Sequence, residues 1–249
     1  MRLSMITASL GLVAIGLAGC GGGGGNSGGG GNGGSISKSS QYAGTYVGTY
    51  LNASDGSTGQ YSFTVLSAGG VLSNGTITIG GSSIPLTGSI TNSGVATFVP
   101  QGKTGSSGTV FGVGGHTVYG QLTNPSNQTI YSDSIFNPTG PAVGGNTYSN
   151  DYTGTYTDTT VGKTGILSFH VDGAGKITGT ALVDNSGTVE FAAVTGNVTS
   201  TGALTFNASV SGTSIGTISG NVVLSGQSLT GTMTNNKGET INFNLQVVQ

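Results

Sequence analysis

Apolar and polar residues alternate with a period of two along much of the chain. Leu167, Phe169 and Val171 fall on one face of a segment that carries Ser168 and His170 on the other. Ile241, Phe243, Leu245 and Val247 likewise stand opposite Asn242, Asn244 and Gln246. This period marks a half-buried β-strand. It predicts eight strands in the second half, over 152–160, 165–172, 175–183, 187–199, 202–210, 213–224, 227–234 and 238–248. Short Gly, Asn, Asp and Ser clusters separate them, as in Asp172-Gly173-Ala174-Gly175 and Asn235-Asn236-Lys237-Gly238, and these are hairpin turn signals. With no gap of helix length, the expected fold is all-β, an antiparallel meander closed into a barrel so that no edge is left unpaired. A two-sheet β-sandwich uses the same alternation and is the alternative.

The pattern occurs twice. "YAGTY" at Tyr42–Tyr46 returns as "YTGTY" at Tyr152–Tyr156. "GQYSFTV" from Gly59 answers "GILSFHV" from Gly165, and "TGSITNSGVATF" from Thr87 answers "TGNVTSTGALTF" from Thr195. The matches keep their order, with offsets drifting between about 106 and 111 residues. A unit of about 100 residues is domain-sized. Two tandem eight-stranded barrels are therefore expected, over 41–140 and 150–249. Within the units an apolar-x-Gly-x-apolar motif recurs, as Ile177-Gly179-Ala181 and Val194-Gly196-Val198. Period two puts these glycines on the inner face, where they leave room for neighbours and allow the strand to bend.

Composition sharpens the picture. Of 249 residues, 50 are Gly and 6% are charged, so Ser, Thr, Asn and Gln must cover the surface. The formal net charge of −2 gives no basic patch, and nucleic acid is not an expected partner. A sixteen-stranded membrane pore would need outward apolar bands, whereas the outward faces here are Thr, Ser and Asn.

The first twenty residues follow a different logic. Arg2 is followed by an apolar run from Leu10 to Leu17 that is too short to span a bilayer. It ends in Leu17-Ala18-Gly19-Cys20, which resembles a bacterial lipobox. The resemblance implies that residues 1–20 are a lipoprotein signal ending at Cys20, whose thiol carries the lipid. Gly21 after it, rather than Asp, implies the outer membrane by the same resemblance. Cys20 is the only Cys, so the chain forms no internal disulfide, and acylation would remove a free thiol from an exported protein. Residues 21–40 are mostly Gly and cannot offset the entropy of folding, so they are expected to be a disordered tether with a span of roughly 25 Å.

Each repeat also resembles the small eight-stranded meander barrels of the avidin family. "GTY" at Gly154–Tyr156, "SFHV" at Ser168–Val171, "GALTF" at Gly202–Phe206 and "INFNL" at Ile241–Leu245 carry that resemblance. The family stacks Trp on biotin; this chain has no Trp, and biotin binding is not carried over.

Little of the sequence points to catalysis. His170 is expected to face outward and His116 to lie at a turn, neither with a partner at metal or triad spacing. No cofactor, metal set or catalytic residue is implied. One asymmetry separates the repeats. Where the last strand of the second buries Ile241, Phe243, Leu245 and Val247, the first has Ile130, Ser132, Ser134 and Phe136. The first repeat is also richer in Tyr, at 42, 46, 50, 61, 119 and 131. A polar interior that could hold a ligand follows, lined by Tyr46, Phe63, Ser132 and Ser134. A one-residue slip would instead turn Tyr131, Asp133 and Ile135 inward.

These readings lead to a lipid-anchored, non-enzymatic binding or structural protein of the cell envelope. Its partners are the membrane, through Cys20, and an envelope component or small ligand. A small-molecule carrier with its ligand inside barrel 1 is the alternative, and an envelope hydrolase using a spatial pair of acids ranks last.

Overall fold

The structure is a computed structural model that describes residues 40–113, 116–185 and 187–248. The signal segment, Cys20 and all of the tether but Ser40 lie outside the described residues. Ser40 itself is buried, its N–H donating to the Ser67 carbonyl (2.9 Å).

Sixteen strands run in two groups. The first comprises β1 (Gly44–Asn52), β2 (Thr58–Val65), β3 (Leu72–Ile79), β4 (Ser82–Ile90), β5 (Val95–Pro100), β6 (Ser106–Val113), β7 (Thr117–Thr123) and β8 (Thr129–Phe136). The second comprises β9 (Asn150–Asp158), β10 (Lys163–Val171), β11 (Lys176–Asn185), β12 (Thr188–Val198), β13 (Ala203–Val210), β14 (Thr213–Ser225), β15 (Ser228–Asn235) and β16 (Thr240–Val248). Every neighbour pair is antiparallel, and each group closes, β1 on β8 and β9 on β16. The barrel is thus formed rather than the sandwich. In the second repeat each strand begins and ends within two residues of its predicted bounds.

Alternation places the cores as expected. Leu167, Phe169 and Val171 join Ile177, Val194, Phe206 and Leu245 inside barrel 2. Tyr46, Phe63, Val65, Leu86, Ile90 and Leu122 fill barrel 1. The motif glycines sit where neighbouring strands come close. A Cβ on Gly196 would stand 2.0 Å from the Thr205 carbonyl oxygen, and one on Gly179 2.2 Å from that of Ser168. The space expected for inward side chains is therefore taken by the adjacent backbone.

Hydrogen bonds revise the match between repeats. The Tyr46 hydroxyl donates to the Tyr42 carbonyl (2.7 Å), and the Tyr152 hydroxyl to that of Tyr148 (2.8 Å). Tyr50 donates to Thr78, and Tyr156 to Leu182. Tyr42, Tyr46 and Tyr50 thus correspond to Tyr148, Tyr152 and Tyr156, four residues away from the match that "YAGTY" and "YTGTY" suggest. The cause is that Gly-Thr-Tyr occurs twice within β1, at Gly44–Tyr46 and Gly48–Tyr50.

The two barrels belong to one compact unit. Residues on the outward faces of β1 and β8 pack against those of β9, β10 and β11. Thr49, Thr153, Ser168 and Thr180 point away from the cores, yet all are buried in this seam. Their hydroxyls link up: Thr49 with Thr153 at 3.1 Å, and Thr153 with Ser168 at 2.9 Å. Leu51, Ile166 and Leu182 form an apolar patch beside them, covered by Tyr131 and Phe191.

Candidate functional site

Each barrel has a cavity that opens at the same end of the repeat. In barrel 1 a cavity of about 360 Å³ opens between the C-terminal ends of β1, β3, β5 and β7 and the N-terminal ends of β2, β6 and β8. Tyr50, Tyr61, Phe63, Phe98, Ile130 and Ser132 line it. The cavity of barrel 2, about 440 Å³, is lined by Tyr156, Leu167, Val194, Phe206, Ile241 and Phe243. Both volumes lie within the usual range for small-molecule sites. Asp55 and Lys103 stand at the first mouth, and Asp158, Lys163, Asp184, Lys237 and Glu239 at the second. Half of the chain's fourteen charged residues therefore gather at the two mouths.

Inside, the barrels differ where β1 meets β2 and β8. Strand register sets Gly48 between Tyr61 and Ser134, while Gly154 sits between Leu167 and Leu245. Tyr50 faces Ser132 where Tyr156 faces Phe243. Barrel 1 thus carries Tyr61, Ser132 and Ser134 where barrel 2 carries Leu167, Phe243 and Leu245. A Cβ on Gly48 would stand 2.6 Å from Ser134 Cβ and 2.7 Å from Tyr61 Cζ, so the Tyr61 ring lies over Gly48 beside Ser134. Burial raises the Tyr61 pKa, with the two serines pulling the other way, so the phenol stays protonated and able to donate. Ser134 also donates to the Val118 carbonyl at 2.8 Å, which fixes its hydroxyl.

The strand therefore keeps the register that turns Ser132 and Ser134 inward, and the one-residue slip does not occur. Of the four residues expected to line a ligand site, Phe63 and Ser132 reach the cavity. Tyr46 lies deeper, 2% exposed and stacked on Phe63 with ring centroids 4.9 Å apart. Ser134 lies beside Tyr61 below the mouth. Tyr61 belongs to this group, although in the sequence only its residue type, among the excess tyrosines of the first repeat, marks it.

The histidines depart from expectation. His170 does face outward from its barrel, but that face is the seam, and its side chain is only 18% exposed. Its Nδ1 lies 2.8 Å from Asp151 Oδ1, and its ring stacks on His116 with centroids 4.4 Å apart. The fully buried Asp151 accepts at Oδ2 from the Thr139 N–H (2.8 Å) and hydroxyl (3.3 Å). Burial works to raise its carboxyl, but the bonds from His170 and Thr139 prevail and hold it below the ordinary carboxylate value. The bond to Asp151 is the main cause of the raised His170 imidazole pKa. One donor atom from each of His116, Asp151 and His170 can be chosen so that all lie within 4.8 Å of one another. The expectation that neither histidine has a partner is thus corrected. The partners are distant in sequence and meet through the packing of the barrels.

No family model and no curated protein matches the chain. Among solved structures it is similar to the isotype 1 transferrin binding protein B from serogroup B Neisseria meningitidis, at 13% identity and a TM-score of 0.30 over 82% of this chain and 44% of that one. It is also similar to a double mutant of transferrin binding protein B from Haemophilus parasuis Hp5, at 16% identity and a TM-score of 0.27 over 82% and 45%. The chain spans less than half the length of either. The barrel architecture described above rests on the strand pairing alone.

Proposed function

We propose that the protein is a non-enzymatic binding protein of the bacterial cell envelope, anchored to the outer membrane by lipid on Cys20, which holds a small ligand in the mouth of barrel 1. The observation that carries this reading is the placement of Tyr61, Ser132 and Ser134 in barrel 1 at the three positions where barrel 2 has the apolar Leu167, Phe243 and Leu245. Buried hydroxyls cost free energy unless they are paired; Ser132 and Ser134 donate to the carbonyls of Gly120 (3.4 Å) and Val118 (2.8 Å), which leaves the Tyr61 hydroxyl to donate to a ligand. A ligand with an apolar body and one carbonyl or hydroxyl would bury its body against Phe63, Phe98 and Ile130 and accept a hydrogen bond from Tyr61. The cavity admits only a small molecule. The tether would let the barrels reorient at the membrane surface while the mouth stays open.

Displacement of the apolar dye N-phenyl-1-naphthylamine by fractions of an envelope extract tests the reading. The wild-type chain should bind the dye, and an active fraction should release it. Tyr61→Phe removes one hydrogen bond and should weaken the displacing compound about 10-fold. Ser132→Phe fills the cavity and should abolish dye binding with the strand circular-dichroism signal unchanged. Dye binding and displacement that are unaltered in both variants would refute a site in barrel 1.

A further inference from the structure

We propose that His116, Asp151 and His170 form a binding site for a zinc-class divalent metal ion at the seam between the two barrels. Two imidazole nitrogens and one carboxylate oxygen make a donor set that suits zinc and its neighbours, and not the oxygen-seeking Ca²⁺ or Mg²⁺. Three protein ligands leave a fourth position for water or an outside group.

The supports of the site are what a metal centre requires. Asp151 and His170 are cross-strand partners on β9 and β10, so the sheet holds two of the donors. His116 comes from the β6–β7 connection of the other barrel, and its carbonyl accepts the Phe136 N–H at 2.7 Å. Thr139 occupies Asp151 Oδ2 twice over, which orients the carboxylate and leaves Oδ1 facing the histidines. The chain has only two His, and folding brings both to one buried carboxylate. The partial exposure of His170 leaves a path for an ion.

Metal bonds of about 2.0–2.2 Å place tetrahedral donors about 3.3–3.5 Å apart. The present spread of up to 4.8 Å therefore closes by roughly 1 Å as the ion enters. Rotation of the His116 side chain supplies that movement, and the ion takes the place of the proton between His170 and Asp151. Because the ligands come from both barrels, binding would pin the β6–β7 hairpin of barrel 1 to barrel 2.

The test uses the full-length chain in mild detergent, stripped with a chelator and titrated with zinc against a chromophoric competitor. The expected result is one zinc per chain and a rise in Tm on loading. His116→Ala and His170→Ala should each weaken binding by more than about 100-fold, since even outer-shell changes cost 10–100-fold. The metal-free Tm of His116→Ala should stay close to that of wild type, because the side chain lies at the edge of the seam. Cys20→Ser should bind zinc as the wild type does. Absence of zinc binding by the wild-type chain would overturn the proposal, as would binding that survives both histidine substitutions.

Discussion

Replacing Gly196 by alanine is expected to destabilise the protein by about 3 kcal/mol or more, at the upper end for an overpacked core. The added Cβ would lie 2.0 Å from the Thr205 carbonyl oxygen and 3.1 Å from the Phe206 Cα. Both atoms belong to the backbone of β13, so no side chain can swing aside. Relief requires prising β12 from β13, and those strands pair from Ala193 to Val198. Gly216→Ala in β14 is the control. Its new Cβ would meet only the Asn236 side chain, at 3.5 Å. Removing a glycine there lowers the entropy of the unfolded chain, so a change between zero and a gain of about 0.5 kcal/mol is expected. Urea denaturation of both variants measures the difference. Equal stabilities would mean that β12 and β13 are not so closely apposed.

Asp133→Asn is expected to stabilise the protein, and to do so increasingly as pH rises. Asp133 is wholly buried in the seam. The Thr180 hydroxyl donates to Oδ1 at 2.6 Å, while Oδ2 has no hydrogen-bond partner among the described residues. Burial pushes the carboxyl well above the ordinary range, against the opposing pull of Thr180 and the backbone of Ser134 and Ser168. Tyr61 and Tyr119 interact with it, and neither supplies a positive charge. The folded chain therefore holds a proton that the unfolded chain releases at an ordinary carboxylate pKa of about 3.9. Between that value and the raised folded value the folded state binds more protons, so stability falls as pH rises. Well below about pH 4 both states are protonated and the term vanishes. Asparagine imitates the protonated acid without being able to ionise. Its advantage should be near zero at pH 4 and about 2 kcal/mol at pH 8, or roughly 4–8 °C in Tm for a chain of this size. A Tm difference that does not vary with pH would contradict this picture of Asp133.

Both effects show how far the sequence could be read. Strand bounds were legible because Phe169, Leu245 and their neighbours alternate strictly with polar residues, and a slip by one would expose every one of them. The inward serines of β8 were legible for the same reason, by comparison with β16. The seam was not. Thr49, Thr153, Ser168 and Thr180 look like solvent-facing positions of any strand, and nothing in a hydroxyl side chain tells water from a second barrel. Asp133 looked like a surface acid or the product of a register slip, whereas it faces outward into the partner barrel. His116 and His170 have no spacing signal because the barrels, and not one strand, bring them together. Tyr61 was visible only as one tyrosine among many. Its role appears once register shows Leu167 in its place in barrel 2.

The proposed function requires a ligand in barrel 1 of a lipid-anchored chain. Native mass spectrometry of the full-length protein, extracted gently from the membranes of its source, tests it most directly. The predicted spectrum has two additions to the chain that begins at Cys20: a lipid mass that survives denaturation, and a discrete small mass that leaves on denaturation and is absent from the Ser132→Phe variant. A spectrum of the lipidated chain alone, identical for wild type and variant, would contradict the claim.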